Sequence, residues 1–445
     1  MRIVDIREIS VPISRYADPT VPSGGLNTSV VAVITDVVRD AKPIVGYGFA
    51  SIGRFAQGGL IRERFAPRLL AASDADLTDQ AGTNLDPFRA WKVMMANEKP
   101  GGHGERCVAV GALDMALWDA VGKIARLPLY RLLMERTGAT QRDGPCTVSV
   151  YAGGGYYYPT DDIACLSDEV RRFRDLGYGR TKIKIGSAPL ARDLKRIDAA
   201  ARLLDGPGNV AVDAIYAYTA ATSPEAADAL APRGLWWFED ICDPLDFETV
   251  ATVARRYAAP IAAGEALFSA AEANLLDRHG GLRRDRDILV FDPVHCYGLP
   301  GYLQIIELLE KRGWPRGAFW PHGGHLFCLH VVAALGLGGA EVNPLCFQPF
   351  GGYGDETNVA NGTAIPPELP GIGFETKPSL RDLWPLLSTF DQREAAIRHR
   401  LTTAYNTSLH SSTQTDGLSQ RRRGSGMGHF DPFPPLRLNG RYPLS

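Results

Sequence analysis

Cysteine is scarce: seven residues in 445, none in a CxxC pair or any other metal-ligand spacing. That excludes a thiolate metal centre, and the odd count fits reduced thiols in the cytoplasm rather than a disulfide framework. Long apolar runs are also missing, since no stretch approaches the roughly 18 residues a membrane span needs. Residues 1–8 alternate polar and apolar and lack the apolar centre of a signal peptide. Neither sign of charge dominates: 48 Lys and Arg face 50 Asp and Glu for a net charge of −2, which gives no reason to expect nucleic acid or a membrane as partner. Phosphate-binding glycine signatures are absent as well. Gly153-Gly154-Gly155 follows a strand-like run, but without GxGxxG or GKS/T it reads as a loop.

What is present is a large apolar core and a regular order of elements. Hydrophobic residues make up 45% of the chain, whose length suits two domains or one barrel with a cap. Residues 1–50 read as a strand meander, strongest at 29–35 and 44–49, and helical patterning follows at 60–70, 87–97 and 108–124. This predicts an α+β capping domain over residues 1–140. From Cys146 onward, strands alternate with amphipathic helices, starting again at Lys182, Val210, Leu235, Ile261, Ile288, Ala318 and Pro344. One strand per helix at nearly even spacing predicts an α/β fold, a (β/α)-type TIM-like barrel over 141–355, with 356–390 completing the cap. An open doubly wound sheet is the alternative, but it would have difficulty bringing groups from so many strands together. Residues 391–445 are expected to be a disordered tail. Within it, 402–445 are rich in Ser, Thr, Gly, Arg and Pro, and the run Arg421-Arg422-Arg423 reads as solvated unless an acidic partner meets it.

Three carboxylates stand out against this frame. Asp213, Glu239 and Glu265 each close a short apolar run, as in Val210-Ala211-Val212-Asp213, and each follows the last by 26 residues. Three successive barrel strands would aim them at one point at the C-terminal mouth, where barrels keep their chemistry. Converging carboxylates repel unless a divalent cation lies among them, and oxygen-only ligation suits Mg²⁺. The plainer alternative is that strand-end acids cap helices or meet solvent. The strand Thr181-Lys182-Ile183-Lys184-Ile185 puts Lys182 and Lys184 on one face, pointing into the same mouth. Crowding two ammonium groups and a metal is expected to lower a lysine pKa and make a base. A solvated edge strand would explain the pair otherwise. His322 follows the apolar Ala318-Phe319-Trp320, and Asp292, ending the preceding run, is placed to hold its Nδ1 and favour a proton donor. His295 is a close rival, while His325 and His330 read as packing or capping residues on a following helix. Lys99, in a Gly-rich stretch of the cap, either closes over a second substrate carboxylate or is an ordinary loop lysine. The tyrosines after Gly155, Tyr158 among them, either touch substrate or pack under the cap.

Together these residues resemble the enolase superfamily, in its mandelate racemase branch, over roughly residues 1–380. Within that branch the chain is similar to the D-tartrate dehydratases of the acid-sugar dehydratase group. The segments that carry this are 97–106 around Lys99, 153–159 from Gly153 to Pro159, Pro321-His322-Gly323-Gly324-His325, and 369–374 from Leu369 to Phe374. The resemblance implies that Mg²⁺ binds the substrate carboxylate, that Lys184 removes the proton on the adjacent carbon, and that Lys182 lowers the pKa of Lys184 and helps hold the carboxylate. It implies that His322 protonates the departing β-hydroxyl to give a 2-keto acid, and that Glu341 donates a hydrogen bond to the enediolate. A base acting beside Mg²⁺ on an enediolate is the known chemistry of this superfamily itself, so these roles come from the resemblance and not from spacing. The expected partner is a small-molecule carboxylate substrate, and the expected assembly a homo-oligomer.

The chain departs from that pattern where Ala214 and Ala266 follow metal carboxylates that the family follows with Asn, and where Ala50 and Ile52 replace cap-loop asparagines. Sites built to hold hydroxyls discriminate through such groups, so the altered positions bear on substrate choice. Two other functions remain open at this level: racemisation or epimerisation by the same site, and a catalytically silent protein that binds metal and acid.

Overall fold

The computed structural model describes residues 1–388 apart from 19, 22, 53, 55 and 138–145. The tail expected from residue 391 therefore lies outside the described residues. The chain opens with a three-stranded antiparallel sheet, β1 (Ile3–Pro12), β2 (Asn27–Arg39) and β3 (Lys42–Phe49), in that order. The helix Glu105–Ala125 lies against it, buried along most of its length. Close packing is possible because β3 presents glycines where the helix presents alanines. A Cβ on Gly46 would lie 2.0 Å from the Ala116 carbonyl oxygen, and one on Gly48 2.3 Å from that of Ala112.

Between residues 148 and 342 the strands run parallel: β4 (Val148–Gly153), β5 (Thr181–Lys184), β6 (Val210–Asp213), β7 (Phe238–Glu239), β8 (Ile261–Ala263) and β9 (Ile288–Leu289). Phe319 continues the order through a parallel bridge to Leu289. β10 (Ala340–Val342) then pairs parallel with β4 and closes the ring. The apolar pattern places the last strand at Pro344. It ends at Val342 instead, and the chain turns away through a cis Gln348–Pro349 bond. The strand expected at Ala318 is reduced to a helical turn, Arg316–Ala318, and a single bridging residue.

Alternation along the strands sorts the side chains into two apolar layers. Ile183, Ile185, Val210, Val212, Phe238 and Ile261 face outward into one cluster with the helices. Tyr151, Ala211, Trp237, Ala262, Val290 and Trp320 form the second, inside the barrel. Residues in phase with the second set must point inward. Lys182, Lys184, Asp213 and Glu239 are in that phase, with the aromatic layer as their floor.

The cap is tied to the barrel beside the site. Asp114 accepts from the Leu299 N–H at 2.7 Å, at the start of the helix Leu299–Glu310, and Trp91 Nε1 donates to the Tyr297 carbonyl at 2.8 Å. The C-terminal segment returns to the cap: Ile372 N donates to Asp119 at 2.7 Å and Trp384 stacks on Tyr47 at 4.3 Å. No helix among the described residues is long and apolar enough to cross a membrane.

Candidate active site

Strand register aligns the inward polar groups. Lys184 pairs with Asp213 across β5 and β6, and Asp213 with Glu239 across β6 and β7. Glu265 lies just past β8, reached through Gly264 at φ +129, a value that suits glycine. Lys182 donates to Glu239 Oε1 at 2.5 Å and lies 3.5 Å from Glu341, and Lys184 donates to Asp213 Oδ2. Trp237, from the barrel floor, donates to the other Glu239 oxygen at 2.7 Å.

The three carboxylates fit a divalent cation. Ligand oxygens of Asp213, Glu239 and Glu265 all lie within 4.8 Å of one another. Glu265 Oε2 is buried without a hydrogen-bond partner, which is costly unless something else satisfies it. The donor set is all oxygen, as a hard cation requires.

The lysines depart from expectation. Burial alone pushes both amines down, but the carboxylates outweigh it: Glu239 and then Glu341 at Lys182, and Asp213 at Lys184. Both are held well above the ordinary lysine range rather than below it. The carboxylates facing each amine matter more than the neighbouring cation, because they are nearer.

His322 lies on the other side of the triad, with Nε2 3.6 Å from Glu265 Oε2 and Nδ1 2.8 Å from Asp292 Oδ2. Burial pushes the imidazole down, but Glu265 and then the Asp292 bond outweigh it and push it up to about 9. The rival His295 packs with its ring tilted, 5.4 Å from His322, and also faces Asp292, but at 3.6 Å, while its Nδ1 meets the Glu265 carbonyl at 3.3 Å. Burial takes His295 down to about 4, so the neutral ring dominates near pH 7 and His322 is the better proton donor. His330 is a packing residue, bonded to the Tyr130 N–H and the Ile372 carbonyl, and His325 stands at the N-cap position of the helix Leu326–Leu335 without a side-chain capping bond.

A residue that sequence reasoning misses completes this network. Ser51, fully buried at φ +58 in the cap loop after β3, donates to Asp292 Oδ2 at 2.7 Å and lies 3.1 Å from His325 Nε2. Ala50 and Ile52, where the resemblance implies asparagines, are both buried in the cap core, whereas the Ser51 hydroxyl between them reaches the site. Ala214 likewise joins the apolar layer behind β6. Replacing Ser51 by alanine is expected to lower turnover about tenfold, the order of one bond to a charged group. Removing a donor from Asp292 strengthens its hold on the His322 proton, so the alkaline limb of the pH profile should move up. A kcat–pH profile checks both, and an unmoved limb with unchanged kcat would contradict them.

Three other expectations are not met as stated. Glu341 is buried against Lys182; burial raises its carboxyl, but Lys182 outweighs burial and keeps it below the usual range, so it accepts rather than donates. Lys99 is exposed beyond the helix Pro87–Met95 and no described contact joins it to the site. Tyr158 turns its hydroxyl to Glu169 at 3.2 Å and its ring to Tyr16, whereas Tyr156 is the tyrosine beside Lys184, with Nζ 5.2 Å from its ring centre. Tyr157 packs between Asp193 and Arg196.

Fold and geometry thus define a class: a capped (β/α) barrel with a carboxylate metal site at its mouth. The family model described as Enolase C-terminal domain-like matches residues 166–380. Relatives include arabinonate dehydratase from Saccharolobus solfataricus, 26% identical over 79% of this chain and 90% of that protein. Another is 3,6-anhydro-alpha-L-galactonate cycloisomerase from Streptomyces coelicolor, 28% identical over 77% of this chain and 88% of that protein. The crystal structure of L-talarate dehydratase from Polaromonas sp. JS666, complexed with Mg and L-glucarate, superposes with a TM-score of 0.63 at 25% identity, covering 85% of this chain and 97% of that one. Residues 166–380 thus match the Enolase C-terminal domain-like family, and the chain as a whole is similar to acid-sugar dehydratases of the enolase superfamily's mandelate racemase/muconate lactonizing enzyme branch.

Proposed function

We propose that the protein is a Mg²⁺-dependent dehydratase of a small hydroxy-diacid or acid sugar, tartrate-like substrates included. The observation that carries this is the two-sided arrangement: Lys184 contacts Asp213 at one end of the carboxylate triad, and His322 faces Glu265 at the other. Dehydratases among the relatives support the same reading.

Asp213, Glu239 and Glu265 would hold the ion, which when bound supplies polarisation of the substrate carboxylate and takes up the negative charge that now keeps Lys184 protonated. Lys184, as the neutral amine, accepts the proton from the carbon next to the carboxylate. The electron pair left on that carbon forms the C=C bond and expels the β-hydroxyl. His322, as imidazolium, gives that oxygen its proton, so water leaves and the enol becomes a 2-keto acid. Asp292 fixes the His322 tautomer, and Lys182 would hold a substrate carboxylate oxygen. Racemisation or epimerisation is the second reading, supported by a hydrophobic dipeptide epimerase from Enterococcus faecalis, 25% identical over 81% of this chain, and by the presence of proton-transfer groups on both sides.

The test is metal dependence of turnover on a panel of acid sugars and hydroxy acids. Chelation is expected to abolish keto-acid formation and added Mg²⁺ to restore it saturably. Glu265→Gln should raise the half-saturating Mg²⁺ concentration by about tenfold or more, as loss of a charged ligand implies. Turnover indifferent to chelator would contradict the proposal.

A further inference from the structure

Two arginines from the cap loops approach the barrel mouth, and they are not equivalent. Arg15 lies 5.9 Å from the ring centre of Tyr156, the residue beside Lys184, and commits a guanidinium N–H to the Ser23 carbonyl at 2.8 Å. Arg54 stands on the opposite side, 4.8 Å above the ring of Phe268. Phe268 packs 5.9 Å from His295, which packs 5.4 Å from His322. Arg54 is half-buried, and among the described residues it forms no ion pair and no hydrogen bond. Most arginines that the fold partly buries do have an acid: Arg106 with Glu98, Arg283 with Asp287, Arg316 with Glu310. Arg54 lies three residues from Ser51, whose bond to Asp292 anchors this loop to the His322 side. Beneath it, His295 Nε2 is buried without a hydrogen-bond partner.

Substrate polarity selects between the two arginines. On the proposed chemistry, the reacting carboxylate lies at the triad, the α-carbon faces Lys184 and the β-hydroxyl faces His322. Whatever the substrate carries beyond its β-carbon must then extend past His322, toward Phe268 and Arg54. A planar guanidinium with all its donors free matches a carboxylate in two parallel hydrogen bonds. We infer that Arg54 binds a second carboxylate at the far end of the substrate, so that the site selects hydroxy-diacids over the corresponding monoacids. This rests on the dehydratase reading for the direction of the substrate, but not on turnover for its test.

The experiment is calorimetric binding, in Mg²⁺, of matched pairs: tartrate against threonate and glucarate against gluconate. It is run on the wild type, Arg54→Gln, Arg54→Lys and, as control, Arg15→Gln. The wild type should bind at least one diacid about tenfold or more tightly than its monoacid partner, the order of a charge-assisted pair. That ratio should collapse in Arg54→Gln, recover in part in Arg54→Lys, and persist in Arg15→Gln. No diacid preference in the wild type would overturn the inference, as would a preference that survives Arg54→Gln or is lost in Arg15→Gln instead. Because binding is read directly, an intact preference in a protein that turns over no acid of the panel would count against the dehydratase reading while leaving the Arg54 subsite standing.

Discussion

Lys184→Met is expected to lower turnover by about a thousandfold, within the range that a positioned general base contributes. The variant keeps the apolar stem and removes the amine that lies against Asp213. Asp213 is not left without a cation, because Lys182 remains 3.8 Å away, so the fold should survive. Losing the competing ammonium should leave Mg²⁺ affinity unchanged or tighter by calorimetry, which separates loss of the base from loss of the metal. Lys184→Arg sharpens the test. Arginine keeps the charge but cannot give up its proton near neutral pH, so it should be as inactive as methionine. A Lys184→Arg enzyme with near-normal turnover would mean that charge, not proton abstraction, is what this position supplies.

His322→Asn should separate the two halves of the reaction. Water loss is expected to fall by about a hundredfold to ten-thousandfold, while exchange of the α-proton with solvent persists through Lys184. The pH dependence follows from the raised pKa: the imidazolium is fully present below the folded pKa and is lost as pH rises through it. In the bare site, burial lowers His322 but Glu265 and Asp292 lift it from 6.5 to about 9. An ion on Glu265 removes part of that lift, so the alkaline limb of water loss is expected between those values. Asp292→Asn should move it lower still. A limb that moves upward in Asp292→Asn would reverse the assigned role of the dyad, and stopped-flow or discontinuous assays across pH decide it.

The parts of this site that are legible in the sequence are those fixed by strand periodicity. Lys182 and Lys184 share a face because they are two residues apart, and Asp213 and Glu239 align because each ends its strand at the same level. Spacing can bring Glu265, Asp292 and His322 to the same mouth, since each follows one more strand. What spacing cannot give is the direction of side chains on loops. Tyr156, not Tyr158, turns to Lys184 because the loop after β4 curls at Gly155, φ +65, and places Tyr158 over Glu169. Ser51 reaches Asp292 across 241 residues from a strained turn whose neighbours are apolar, so nothing local marks it. The direction of the lysine pKa shifts is hidden for a related reason. The pattern shows two cations side by side, but not that each bonds a carboxylate of the next strands. The final strand lies earlier than the apolar pattern places it because residues 340–342 are short and Glu341 interrupts that pattern.

Mass spectrometry of the reaction in deuterated water with Mg²⁺, over hydroxy acids and acid sugars including the tartrate isomers, tests the central claim most directly. The account predicts loss of one water to a 2-keto acid carrying one solvent deuterium at the former β-carbon, absent in Lys184→Met. Deuterium at the α-carbon without loss of water would contradict dehydration and assign a racemase or epimerase. No exchange with any acid, in a protein shown to bind Mg²⁺, would contradict catalysis altogether.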